Sequence, residues 1–111
     1  MKTQIAKEIL RQLGGNKFLA MTGAKDLCYG NDYNLRMKLP KNQSKANRLE
    51  ITLNENDLYT MRFYHKRDFR ADPKTATFTE EKITEVKTLE DIYFDNLQSV
   101  FTDVTGMYTS L

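Results

Sequence analysis

The paired glycines at positions 14 and 15 constrain this chain more than any other feature, because they fix where a helix ends and where the chain turns. Upstream of them, Ile5, Ile9, Leu10 and Leu13 recur at helical spacing, with Lys7, Glu8, Arg11 and Gln12 between them. That pattern predicts a helix over residues 4–13, with Thr3 as its N-cap. Gly14 supplies the left-handed backbone that closes a helix without a Cβ penalty. Downstream, residues 17–22 are short, mostly apolar and followed by Gly23, which predicts a strand. Phe18 and Ala20 would point to one side and Leu19 and Met21 to the other, so both faces of that strand would be covered. A phosphate-cradling glycine loop requires a strand before the glycines and a helix after them. The expected order here is the reverse, which excludes it.

The next segments alternate. Tyr33, Leu35, Met37 and Leu39 face one way, and Asn34, Arg36 and Lys38 the other, until Pro40 stops the strand. Residues 41–47 read as a polar, mobile loop. Leu49, Ile51 and Leu53 alternate with Arg48, Glu50 and Thr52, and a polar turn follows at residues 54–57. Residues 58–66 form the longest expected strand, with Tyr59, Met61 and Phe63 inward and Thr60, Arg62, Tyr64 and Lys66 outward. Residues 23–32 and 67–79 read as turn-rich loops, the second a loop or an extended hairpin tip. Residues 80–87 offer a short fifth strand around Ile83 and Val86.

The last expected element is a long helix over residues 88–106. Thr88 would cap it, Glu90 and Asp91 would suit its dipole, and Gly106 would end it. Ile92, Tyr93, Leu97, Val100, Phe101 and Val104 would form its apolar stripe. At about 1.5 Å per residue such a helix spans roughly 27 Å. The expected fold is therefore α+β and one domain over residues 1–111. An N-terminal helix, a four-stranded antiparallel meander (five-stranded if residues 80–87 pair) and a C-terminal helix follow in order, with both helices on one sheet face.

Composition narrows the function classes. A chain of 111 residues with 29% charged and 40% hydrophobic residues fits a globular domain. No apolar run approaches the ~20 residues that span a bilayer, and the charged start lacks the form of a signal peptide. The single cysteine, Cys28, leaves no internal disulfide, so a cytoplasmic location and no membrane partner are expected. One histidine, His65, and one cysteine do not make a zinc site of the usual kind. No nucleophile–base, nucleotide-loop or calcium-loop pattern occurs. The expectation is a non-enzymatic protein with no catalytic residue, no metal and no cofactor.

Charge separates along the chain: residues 1–75 hold 15 Lys and Arg against 8 Asp and Glu, and residues 76–111 hold 2 against 7. If the strands pair as expected, Arg36, Lys38, Arg48, Arg62 and Lys66 share the open sheet face, opposed by Glu50. Tyr64 would lie among them as a stacking platform, and Lys41 and Lys45 would extend the field from the loop. Such a face suits single-stranded nucleic acid. The alternative is a protein–protein adaptor or homodimer, acting through the acidic C-terminal helix and tail with Phe94, Tyr108 and Leu111 as contacts.

Three segments also carry a resemblance. Leu13-Gly14-Gly15-Asn16-Lys17-Phe18, Met21-Thr22-Gly23-Ala24-Lys25 and the ending Val104-Thr105-Gly106-Met107-Tyr108-Thr109-Ser110-Leu111 resemble a family of short uncharacterised proteins carried by prophages and other mobile elements of gut bacteria. The resemblance covers the N-terminal third and the C-terminal segment, and departs most over residues 66–87. It implies an accessory role in a mobile element, through DNA handling or interference with a host or phage protein. It assigns no catalytic residue.

Overall fold

The computed structural model describes residues 2–28, 33–67, 70–72, 74, 77–79 and 81–109. Among these residues the chain forms α1 (Lys2–Leu13), α2 (Asn16–Thr22), β1 (Lys25–Cys28), β2 (Asn34–Lys38), β3 (Arg48–Leu53) and β4 (Tyr59–Arg67). It continues through β5 (Arg70–Asp72), β6 (Thr77–Thr79), β7 (Lys82–Ile92), a 3-10 turn (Phe94–Asn96) and α3 (Leu97–Thr105). Five strands pair antiparallel in the order β1-β2-β3-β4-β7, and β5 and β6 make a separate hairpin inserted between β4 and β7. The α+β meander with helices from both ends of the chain is the observed fold.

Alternation accounts for the layering. Leu35, Met37, Leu39, Leu49, Ile51, Tyr59, Met61 and Phe63 are buried and share one core with Ile9, Leu13, Phe18, Leu97 and Phe101 from the three helices. Two aromatic contacts tie the layers together: the Phe18 and Phe101 rings meet edge-on at 5.0 Å, and Phe63 lies 6.4 Å from Phe101. Full burial of each such side chain is worth about 1.5–3 kcal/mol. The opposite sheet face, with Arg36, Arg48, Glu50, Thr52, Thr60, Arg62 and Lys66, carries no helix and remains partly or fully accessible. Tyr33, expected inward, is instead exposed at the start of β2.

Further expectations are corrected. Residues 17–22 are helical, not extended. A strand would bury Ala20 beside Phe18, yet Ala20 is exposed, whereas Phe18 and Thr22, four residues apart, are both buried. Gly15 at φ 62° turns the chain, its carbonyl accepts from the Leu19 N–H, and Gly23 at φ 75° caps the helix onto Leu19. The first strand comes later, as β1, inside the expected turn-rich segment. Of the turn expected at its end, Gly30, Asn31 and Asp32 lie outside the described residues.

The last strand is the longest. β7 runs on through Ile92, with Thr88 opposite Arg62, Leu89 opposite Met61 and Ile92 opposite Tyr59. Thr88 is therefore a strand residue and caps nothing. α3 begins only at Leu97 and spans nine residues, about 14 Å at 1.5 Å per residue, half the expected length. Gly106 does end it: φ is 75° and its N–H donates to the Thr102 carbonyl at 2.8 Å. Within the expected stripe Ile92, Leu97 and Phe101 are buried, but Tyr93 is exposed.

The segment 41–47, a polar loop as expected, is hydrogen-bonded into a platform. Asn42 Nδ2 donates to the carbonyls of Pro40 at 2.8 Å and Ala46 at 2.9 Å, and Asn42 Oδ1 accepts from the Ser44 N–H at 3.0 Å. Asn47 brackets β4: its Nδ2 donates to the Lys66 carbonyl at 3.0 Å and its Oδ1 accepts from the Lys66 N–H at 2.8 Å. Residues 70–72 and 77–79 form the hairpin expected as one reading of 67–79.

Candidate functional site

The open face collects the expected cations, and register decides what stands beside them. Arg36 on β2, Glu50 on β3 and Arg62 on β4 are cross-strand neighbours in one row. Arg36 Nε donates to Glu50 at 2.7 Å. Arg62 Nε donates to both carboxylate oxygens of Glu85 on β7, at 2.8 and 3.0 Å. That bond holds the Glu85 carboxyl below the usual carboxylate range and raises Arg62 further. Lys38 Nζ lies 3.2 Å from Asp26, which a bulge in β1 sets at φ 54°. Lys66 Nζ lies 3.9 Å from Glu81. Arg48, the fifth cation, donates to the Asn47 carbonyl at 3.2 Å.

The face is thus charge-matched rather than basic. Glu50 is the one acid expected against the five cations; the others come from β1 and from the segment at residues 81–85. Alternation of Glu81, Ile83 and Glu85 was the available signal: once β7 pairs with β4, these three share the outer side with Lys66 and Tyr64.

Tyr64 does not stack on an open face. It points outward as expected but is only 7% accessible, with the Arg62 guanidinium 4.3 Å from its ring centre. Arg48 and Glu85 flank it across the two neighbouring strands.

The alternative contacts separate. Phe94 is 59% accessible and Tyr108 is 69% accessible, but they stand before and after α3, at its two ends. Leu111 lies outside the described residues. Phe94 instead pairs with Tyr93, itself 60% accessible. The two sit on a corner anchored on both sides: Ile92 before them and Leu97 after them are buried, and the Asn96 N–H closes the turn onto the Tyr93 carbonyl at 2.9 Å. Glu90, Asp91 and Asp95 flank the aromatics, and residues 88–111 contain no Lys or Arg. Because Tyr59 pairs with both Ile92 and Leu53, the turn bearing Glu55 and Asp57 lies at this same end of the sheet.

The other end is basic. Lys38 ends β2, Lys41 and Lys45 lie on the platform, Arg48 opens β3, Lys66 and Arg67 close β4, and Lys82 opens β7. His65 sits at the basic end, exposed, and Cys28 lies on β1, exposed, three strands away. Among the described residues no three His, Cys, Asp or Glu side chains gather as a metal site, and no helix is long and apolar enough to cross a membrane.

No protein-family model matches the chain, and comparisons with curated proteins and with solved structures return no match.

Proposed function

We propose that this protein is a non-enzymatic binding module of a mobile element that engages a protein partner through the acidic aromatic corner at Tyr93 and Phe94. The observation that carries the reading is the fixed presentation of two adjacent, more than half-exposed aromatic side chains between buried Ile92 and Leu97. Aromatic anchors on a rigid backbone lose little entropy on docking and dominate interface energetics. The surrounding Glu90, Asp91 and Asp95 define the partner's chemistry: a basic protein surface with an apolar pocket.

The test is site-specific photo-crosslinking in cells, with the photoreactive group at Phe94 and a control at Tyr108. A discrete partner captured from position 94, lost when Asp91 and Asp95 are changed to lysine, supports the reading. Capture only of a second copy of the chain replaces the adaptor with a homodimer. Equal capture from both positions, or none, overturns it.

A second reading, contact with nucleic acid, is favoured by the cations gathered at the opposite end of the strands rather than by the charge-matched sheet face. Fluorescence anisotropy with labelled single-stranded DNA across a salt series tests it: binding that weakens steeply with salt, and that Lys41→Ala with Lys45→Ala reduces more than Arg36→Ala with Arg62→Ala, is the expected result.

A further inference from the structure

The platform between β2 and β3 borders a concavity that the protein-partner reading does not use, and whose Lys41 and Lys45 are among the cations of the nucleic-acid reading. It lies between the segment 40–47 and the end of β4, has a volume of about 510 Å³, and is lined by Lys41, Lys45 and His65 together with Asn42. No carboxylate lines it among the described residues. This separates it from the sheet face a few residues away, where Asp26, Glu50, Glu81 and Glu85 answer the cations.

The frame holding these side chains is fixed from three sides. The Asn42 amide spans the segment and bonds two of its carbonyls. The Gln43 N–H donates to the Thr105 carbonyl at 3.3 Å, at the end of α3. The Asn47 side chain is bonded to β4 at both the N–H and the carbonyl of Lys66, one residue beyond His65. Ala46 beneath is 2% accessible. Lys45 is held at φ 68°, a left-handed backbone that an L-residue adopts only at a cost of about 1–2 kcal/mol. A glycine would take that backbone freely; a lysine stands there instead, on a framework that over-determines it.

Two lysines and a histidine lining one hollow, with no carboxylate lining it among the described residues, are suited to an anion with several acceptor oxygens. Each ammonium offers rotatable donors and full charge, and such charge-assisted bonds are about twice as strong as neutral ones. We propose that this groove is a phosphate-binding site, with Lys41 and Lys45 as charge partners and His65 as a third donor. The proposal does not rest on the protein-partner reading, and it shares Lys41 and Lys45 with the nucleic-acid reading. The phosphate has two candidate sources, a free phosphorylated small molecule or the backbone of a nucleic acid, and the recognising chemistry is the same for both.

The experiment is a nuclear magnetic resonance titration of the full chain with inorganic phosphate at constant ionic strength, with chloride as the reference anion. A short single-stranded DNA forms a second arm. Saturable amide shifts confined to residues 40–47 and 65 are expected with phosphate and absent with chloride. Lys41→Ser should weaken binding about tenfold, the loss of one charge-assisted contact. Lys45→Gly should do the same while leaving the protein at least as resistant to heat, because glycine relieves the backbone at that position. This variant keeps loss of binding distinct from loss of fold. If DNA shifts the same residues and binds tighter than phosphate, the source is a nucleic-acid backbone. If phosphate alone shifts them, it is a small molecule. Absence of saturable shifts in the groove, shifts spread over every surface lysine, or full affinity in Lys45→Gly overturns the proposal, and none of these outcomes bears on crosslinking from Phe94.

Discussion

The guanidinium of Arg62 lies over the ring of Tyr64 at 4.3 Å while bonding both oxygens of Glu85, so one side chain closes an aromatic and ties β4 to β7. Arg62→Ala is expected to lower stability by about 1 kcal/mol, chiefly through the lost cation–π contact. It should also open Tyr64 to acrylamide quenching. Arg62→Lys should fall between the two proteins, because an ammonium cannot reproduce the paired geometry. Urea titration measures both, and a change for Arg62→Ala within about 0.5 kcal/mol, the range of an ordinary surface substitution, would show that the contact contributes little.

Phe101 is the point where the helices meet the sheet, fully buried between Phe18 of α2 and Phe63 of β4. Phe101→Ala should cost about 3–5 kcal/mol, transfer and cavity together. Against the 5–15 kcal/mol typical of a domain, that is enough to bring thermal unfolding, followed by circular dichroism, down sharply. Phe101→Leu should cost clearly less. Equal losses for the two would mean that ring contacts, not volume, hold the layers.

Gly106 couples the end of α3 to the platform. A Cβ at this position would lie 2.6 Å from Gln43 Oε1, and φ is 75°. Gly106→Ala should cost about 1–2 kcal/mol from backbone strain alone, with a further part from displacing Gln43. Adding Gln43→Ala should recover only the steric part. A double-mutant cycle separates the two, and full recovery would assign the whole effect to the clash.

Acid and alkali should act through different groups. Hydrogen bonds from Arg11 to Glu8 and from Arg62 to Glu85 hold both carboxyls below their usual values. Their contribution is present above the unfolded carboxylate pKa of about 4.3 and is lost as pH falls through the lower folded values. Tyr59 is raised, first by burial and then by the charge of Glu8. Its contribution is present below the unfolded tyrosine pKa of about 10 and is lost as pH rises through the higher folded value. The urea midpoint measured against pH should therefore fall at both ends. Glu85→Gln should flatten the acid slope and Tyr59→Phe the alkaline one. An alkaline slope unchanged in Tyr59→Phe would place the titration elsewhere.

The sequence by itself determined the elements whose signal is local and repeated. The period-two alternation at Leu35–Met37, Leu49–Ile51 and Met61–Phe63 defined the three central strands and their buried face, because one face of a pleated strand must be apolar to be covered. Ile9 and Leu13 defined the inward side of α1, and Gly106 ended α3 because only a residue without Cβ takes that backbone freely. Tertiary structure decided the rest where local signals were balanced. Residues 17–22, a short apolar run, read as a strand, and the fit of Phe18 against Phe101 selects the helix. Thr88, Glu90 and Asp91 look like a helix start, yet Thr88, Leu89 and Ile92 pair with Arg62, Met61 and Tyr59, and the segment extends β7, with an irregularity between Leu89 and Ile92. That one long-range choice also set the character of the candidate site. It brought Glu81 and Glu85 beside Lys66 and Arg62, neutralised the sheet face, and left Tyr93 exposed beside Phe94 on a corner instead of on the apolar stripe of a helix. Charge matching across strands depends on register, and register is fixed by contacts between residues a dozen or more positions apart, which no local pattern encodes.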